Sequence, residues 1–253
     1  MRTVGIVQAR LKSTRLPDKV LADIGGMPML ARVIERARRA DCLDDLWIAT
    51  SDSPDDDPVA AVAEAAGVAV YRGHLTDVLA RYVGAAEASD ADVVVRLTGD
   101  NPVLEPAYIQ MTLDLHVATQ ADLTCSKDLD EIIQGTGCDV VNLSALRVAA
   151  AEGHRPDDRE HVIWYLLTNQ TRFKVKFLPA PAGWKNPGIR LTVDEPADLD
   201  LVREVYARLG PACPEFGIPE VLQLFAQQPE LFTRNRVARS RSKYEPSGWV
   251  REA

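Results

Sequence analysis

The chain predicts a Rossmann-like, three-layer α/β/α fold with a mostly parallel sheet and a small inserted lobe. Three observations carry this expectation. Strand-like and helix-like segments alternate with few interruptions through the first hundred residues, the pattern of right-handed strand–helix–strand crossovers. The strand-like runs are short, apolar and bounded by turn residues, as buried strands are. Two charged loops, "ARLKSTRLPDK" (9–19) and "TGDNP" (98–102), follow strand-like runs, where open α/β sheets receive their ligands.

The elements follow in order. "TVGIVQ" (3–8) reads as the first buried strand, and "PMLARVIERARRA" (28–40) spaces its apolar residues for a helix, with Pro28 suited to the first turn. "DLWIAT" (45–50) is the second strand, and "DPVAAVAEAAG" (57–67) a helix stopped by Gly67. "VAVY" (68–71) gives a third strand and "DVLARYVGAAEAS" (77–89) another helix. "DVVVRLTGD" (92–100) is the run richest in β-branched residues. After Leu123 the alternation loosens. "EIIQGTGCDVVNLSAL" (131–146) suggests a strand pair and then a helix, "DREHVIWYLLTNQ" (158–170) is helical, and "RFKVKFL" (172–178) alternates as a half-exposed strand. "GIRLTVDEPADLDLVREVYARLG" (188–210) reads as a buried strand, a turn and an amphipathic helix, with "IPEVLQLFAQQ" (218–228) one helix more. The expected organisation is a main domain over 1–210, a lobe within it over about 122–187, and a helix with a basic tail over 211–253.

Composition narrows the function. With 253 residues, 46% hydrophobic and 26% charged, the chain has the makeup of a folded domain. Its net charge of −8 argues against a general nucleic-acid coat, so any anionic ligand needs locally concentrated cations. Arg10, Lys12, Arg15 and Lys19 supply them within one loop, stiffened by Pro17 and carrying hydroxyls at Ser13 and Thr14. Cys42, Cys125, Cys138 and Cys213 are scattered without a CxxC pair, so neither a zinc site nor a disulfide framework is expected. No secretory leader and no spanning apolar run is evident, and the expectation is a soluble, cytoplasmic protein.

Q-A-R-x-x-S-T-R-L-P-x-K (8–19) resembles the signature of the CMP-sugar synthetase superfamily, cytidylyltransferases that activate acidic sugars with CTP. "GGMPMLARVIERARRA", "VVVRLTGDNPVLEP", "REHVIWYL" and "IRLTVDEPADLDLVREVY" are similar to its spore-coat-polysaccharide (SpsF-like) branch, in the same order over about residues 1–209. The resemblance implies a nucleotidyltransferase fold, Mg²⁺ or Mn²⁺, a homodimer, and CTP with an acidic small-molecule acceptor. Gln8, Ala9, Arg10, Ser13, Thr14, Arg15 and Lys19 match the positions that hold the triphosphate. Thr50 and Ser51 would face the same crevice, while Arg72, Asp77 and Arg81 match the part that closes over base and ribose. Asp77 equally suits a helix N-cap. Asp100 and Asp194, each expected at a strand end, match the metal-binding aspartates; hard oxygen ligands suit Mg²⁺. Glu195 and Asp198 instead suit the opening of the next helix. Arg96, Asn101, Asp139, Arg159, Glu160, His161 and Arg190 match the acceptor side, although Cys138 stands where an apolar residue is expected.

Two rivals remain at this level. In a nucleotide-sugar glycosyltransferase, the acidic run Asp55–Asp57 would be the metal motif, although it equally caps a helix. A catalytically silent nucleotide-binding protein would keep the cationic loop without turnover. Arg234, Arg236, Arg239 and Arg241 form a basic tail without interleaved aromatics, which suits a solvated or partner-contacting segment better than nucleic-acid binding.

Overall fold

Val4 and Ile6 pack on one side of the first strand and Val7 on the other, and all three are fully buried. That two-sided burial is what a strand covered by helices on both faces requires. The computed structural model describes residues 1–126, 132–186 and 188–235. Its elements in chain order are β1 (Thr3–Gln8), α1 (Met29–Ala37), β2 (Asp45–Ser51), α2 (Asp57–Ala65), β3 (Ala69–Gly73), α3 (Val78–Ala88), β4 (Val93–Thr98) and α4 (Pro106–Thr119). There follow β5 (Leu123–Cys125), β6 (Asp139–Asn142), α5 (Leu143–Glu152), α6 (Pro156–Glu160), α7 (Trp164–Thr168), β7 (Val175–Phe177), α8 (Pro196–Leu209) and α9 (Ile218–Gln227).

The strands form one sheet in the order β3-β2-β1-β4-β6-β5-β7. The first four run parallel; β6 is antiparallel to both β4 and β5, and β7 is parallel to β5. One face carries α1, α2, α4, α8 and α9, whose apolar side chains join Val7, Ile48, Val95 and Leu97 in one core. The other carries α3, α5 and α7 over Val4, Ile6, Val94 and Val141. The expected α/β/α layering therefore holds. The segment expected as a lobe contributes β5, β6 and β7 to the same sheet.

Three local expectations change, and one helix stands where no element was expected. Residues 158–170 do not make one helix: α6 ends at Glu160, and Val162 sits at φ 54° before α7 begins. A β-branched residue in the left-handed region breaks a helix sterically. Residues 189–193 form no ladder strand. Leu191 N donates to Gln134 O (2.7 Å) and Val193 N to Asp100 O (2.8 Å), around an isolated Gln134–Arg190 bridge. Within 131–146 only β6 is a strand among the described residues, and its partners are β4 and β5. Finally, α4 spans a stretch whose sequence gave no helix signal.

Of the basic tail, Arg234 is exposed and 3.9 Å from Glu204, while Arg236, Arg239 and Arg241 lie outside the described residues. All four cysteines are free. No described helix is long and apolar enough to cross a membrane.

Candidate active site

Strands β1 and β4 are parallel neighbours with Gln8 opposite Thr98, so the loops that leave them emerge side by side. This is where the strand order turns back on itself, the crevice in which open α/β sheets bind ligands. Gly99 lets the loops meet: a Cβ there would lie 3.1 Å from Ala9 Cβ and from Gln8 O.

The cationic loop is fastened before any ligand arrives. Ala9 N donates to Ala49 O (3.2 Å), Asp18 N to Leu11 O (3.2 Å), and Leu11 N to Asp56 Oδ1 (2.6 Å). The other Asp56 oxygen accepts from Ser51 N (3.2 Å) and from the Ser51 hydroxyl. Asp56 is thus a buried tether between the loop and the end of β2. Asp55 pairs with Lys12 and Asp57 with Arg72. The acidic run is spent on scaffolding, which removes the metal motif a glycosyltransferase would need.

Lys19 opens a short 3-10 turn and places its ammonium at the centre of the site. Nζ lies 3.0 Å from Asp100 Oδ2, 3.1 Å from Asp194 Oδ1 and 2.7 Å from Val193 O. Arg15 Nη2 reaches the same Asp194 oxygen at 2.9 Å, and Arg190 Nη2 holds the other at 2.6 Å. Burial disfavours charge on Lys19, yet the two carboxylates outweigh it and its pKa is raised. Burial likewise opposes ionisation of Asp194, but Lys19, Arg190 and Arg15 hold its carboxyl below the usual range. Lys19 and Asp194 thus hold each other in their charged forms.

Around this point opens a cleft of about 360 Å³. Its walls include Gln8, Ala9, Arg10, Lys12, Ser13, Thr14, Arg15, Lys19, Arg81, Arg96, Asp100, Glu160, His161 and Asp194. The triphosphate candidates, both aspartates and part of the acceptor set therefore share one cavity.

The remaining candidates lie elsewhere. Thr50 and Ser51 are fully buried and do not line the cleft. Arg72 braces the β2 loop through Ser51 O (3.0 Å), Ser53 O (2.7 Å) and Asp57. Asp77 caps α3 through Ala80 N (2.9 Å), and its other oxygen holds Arg159 Nε at 2.9 Å. Asn101 donates to Thr98 Oγ1 (2.8 Å), and fully buried Asp139 backs Arg96 Nη1 at 2.9 Å. Arg190 is buried against Asp194 and Asp198 and does not line the cleft. Arg81 does, and although its Nη1 donates to His74 O (2.9 Å), its Nε has no hydrogen-bond partner. Burial lowers the His161 pKa, keeping the ring neutral near pH 7. Sequence reading missed Asp56 as the loop's tether and Arg190 as the clamp on Asp194.

Asp100 and Asp194 meet within 3.1 Å of one Nζ, and the described residues hold no group of three or more potential metal ligands. Two converging carboxylates fit Mg²⁺ or Mn²⁺, which bind through one or two carboxylates together with substrate phosphates.

Sheet order and crevice together define an α/β nucleotidyltransferase-like fold. Residues 4–232 match the cytidylyltransferase family model, and the chain belongs to that family. It is 34% identical to the spore coat polysaccharide biosynthesis protein SpsF of Bacillus subtilis, over 90% of this chain and 95% of that one. It is 40% identical to the 3-deoxy-manno-octulosonate cytidylyltransferase of Syntrophobacter fumaroxidans, over 49% of each. Among solved structures, a cytidylyltransferase from Leptospira borgpetersenii superposes with a TM-score of 0.86 at 26% identity, covering 92% of this chain and 97% of that chain.

Proposed function

We propose that the protein transfers CMP from CTP to an acidic small-molecule acceptor and releases pyrophosphate. The observation that carries this reading is the Lys19 ammonium set between Asp100 and Asp194 on the wall of a cationic cleft. An acceptor oxygen attacks the α-phosphorus, the bond from that phosphorus to the bridging oxygen breaks, and its electron pair leaves with pyrophosphate. The acceptor's proton passes to solvent. Arg10, Arg15 and Lys19 hold the triphosphate and stabilise charge on the departing group. Asp100 and Asp194 would hold Mg²⁺ or Mn²⁺, which supplies charge neutralisation at the phosphoryl oxygens when bound. Arg96, Glu160 and His161 stand on the acceptor side, with Asp139 fixing Arg96.

An acidic sugar, a sugar phosphate and a phosphonate all fit such an acceptor. The name of SpsF, a spore coat polysaccharide biosynthesis protein, supports a place in cell-surface glycan synthesis; a homodimer and a cytoplasmic location are proposed with it. A pyrophosphate-release screen crossing the four ribonucleotides with these acceptor classes tests the reading. Release with CTP and one acidic acceptor is expected; CTP binding without turnover across the whole panel would favour the silent nucleotide-binding alternative.

A further inference from the structure

The C-terminal segment reaches the back of the site. Asn235, 3% exposed, donates through Nδ2 to Asp198 Oδ1 (2.8 Å) and to Arg190 O (3.0 Å). Asp198 is fully buried and accepts from Arg190 Nε (3.2 Å), Asp194 N (2.9 Å) and Glu195 N (2.9 Å). Arg190 in turn holds Asp194 Oδ2 at 2.6 Å. An unbroken chain of buried and half-buried hydrogen bonds therefore runs from Asn235 to the carboxylate that faces Lys19.

We infer that Asn235 is a positioning residue: it locks Asp198 and Arg190, and through them sets the orientation of Asp194 for a metal–nucleotide complex. Removing its amide leaves a buried carboxylate oxygen and a carbonyl short of a donor. Arg190 then shifts toward Asp198 and loosens its hold on Asp194. Outer partners of metal ligands commonly change metal affinity by roughly 10–100-fold. The inference rests on the proposed function, because it assumes that Asp194 meets a divalent ion beside CTP.

The test titrates Mn²⁺ into the full chain with saturating CTP and no acceptor, read by water-proton relaxation. Asn235→Ala is expected to weaken Mn²⁺ roughly 10-fold or more, while Glu230→Ala, an exposed change in the same segment, matches wild type. Asn235→Leu, which keeps the volume and removes both bonds, carries the same test if the alanine variant does not fold. Unchanged Mn²⁺ affinity in a folded Asn235 variant overturns the inference. A wild-type chain that binds no Mn²⁺ with CTP overturns the functional reading instead.

Discussion

Arg15 and Lys19 look alike in sequence but differ in what holds them. Lys19 is 11% exposed and wedged between two carboxylates, whereas Arg15 is 49% exposed and pairs with one carboxylate oxygen, Asp194 Oδ1. Arg15→Ala is therefore expected to leave folding nearly unchanged, since exposed pairs contribute about 1 kcal/mol or less. It should cut pyrophosphate release by roughly 10²-fold or more, the scale of one lost electrostatic donor. A normal rate would remove Arg15 from the triphosphate site. The cationic loop and Asp100 were legible because motif order and the ends of β1 and β4 mark them; Asp194 was legible from motif order alone, since residues 189–193 form no ladder strand. Asp56 and Arg190 were not, because nothing in local sequence separates a buried scaffold charge from a solvated one.

The histidines give a pH dependence at the same scale. Burial lowers the pKa of His116, whose Nδ1 lies 3.1 Å from Thr124 Oγ1 and Nε2 3.0 Å from Asn142 Oδ1. The folded state then binds fewer protons than the unfolded state below the ordinary histidine value. Stability is full above about pH 6.5 and falls as pH drops below it. Urea midpoints at pH 7.5 and 5.5 should show this loss, and His116→Gln should reduce it. An unchanged slope would assign the acid sensitivity elsewhere.

Elements were legible where apolar period and length agreed, as in β1 to β4 and the helices between them. α4 was not. Ile109, Met111, Leu113, Leu115 and Val117 alternate with polar residues, a period of two that belongs to strands. The segment is nonetheless a helix: Pro106 starts it, Glu105 Oε1 accepts from Ala107 N (3.2 Å), and buried Thr112 bonds back to Tyr108 O (2.5 Å). It ends at exposed Gln120 with φ 51°, a conformation glycine adopts without strain. Gln120→Gly should stabilise the protein by about 0.5–1 kcal/mol, read as a higher urea midpoint. A lower midpoint would show that the Gln120 side chain contributes more than its backbone costs.

At the scale of the whole molecule, a chain of net charge −8 must draw a polyanion to a cleft lined by Arg10, Lys12, Arg15, Lys19, Arg81 and Arg96. The attraction is local, and salt screens it over about 8–10 Å. On the proposed function CTP with Mg²⁺ would bind only the folded chain, so at 100 times its dissociation constant it should add about 2.7 kcal/mol of stability. For a domain of this size that raises the melting temperature by roughly 5–10 °C. Raising NaCl from 50 to 500 mM at fixed CTP, figures of roughly a tenfold change in screening ions, should shrink the CTP-dependent rise. Lys19→Met should remove most of the rise, because the ammonium that joins the two aspartates to the triphosphate is gone. A rise that ignores both salt and Lys19 would mean that CTP binds outside this cleft.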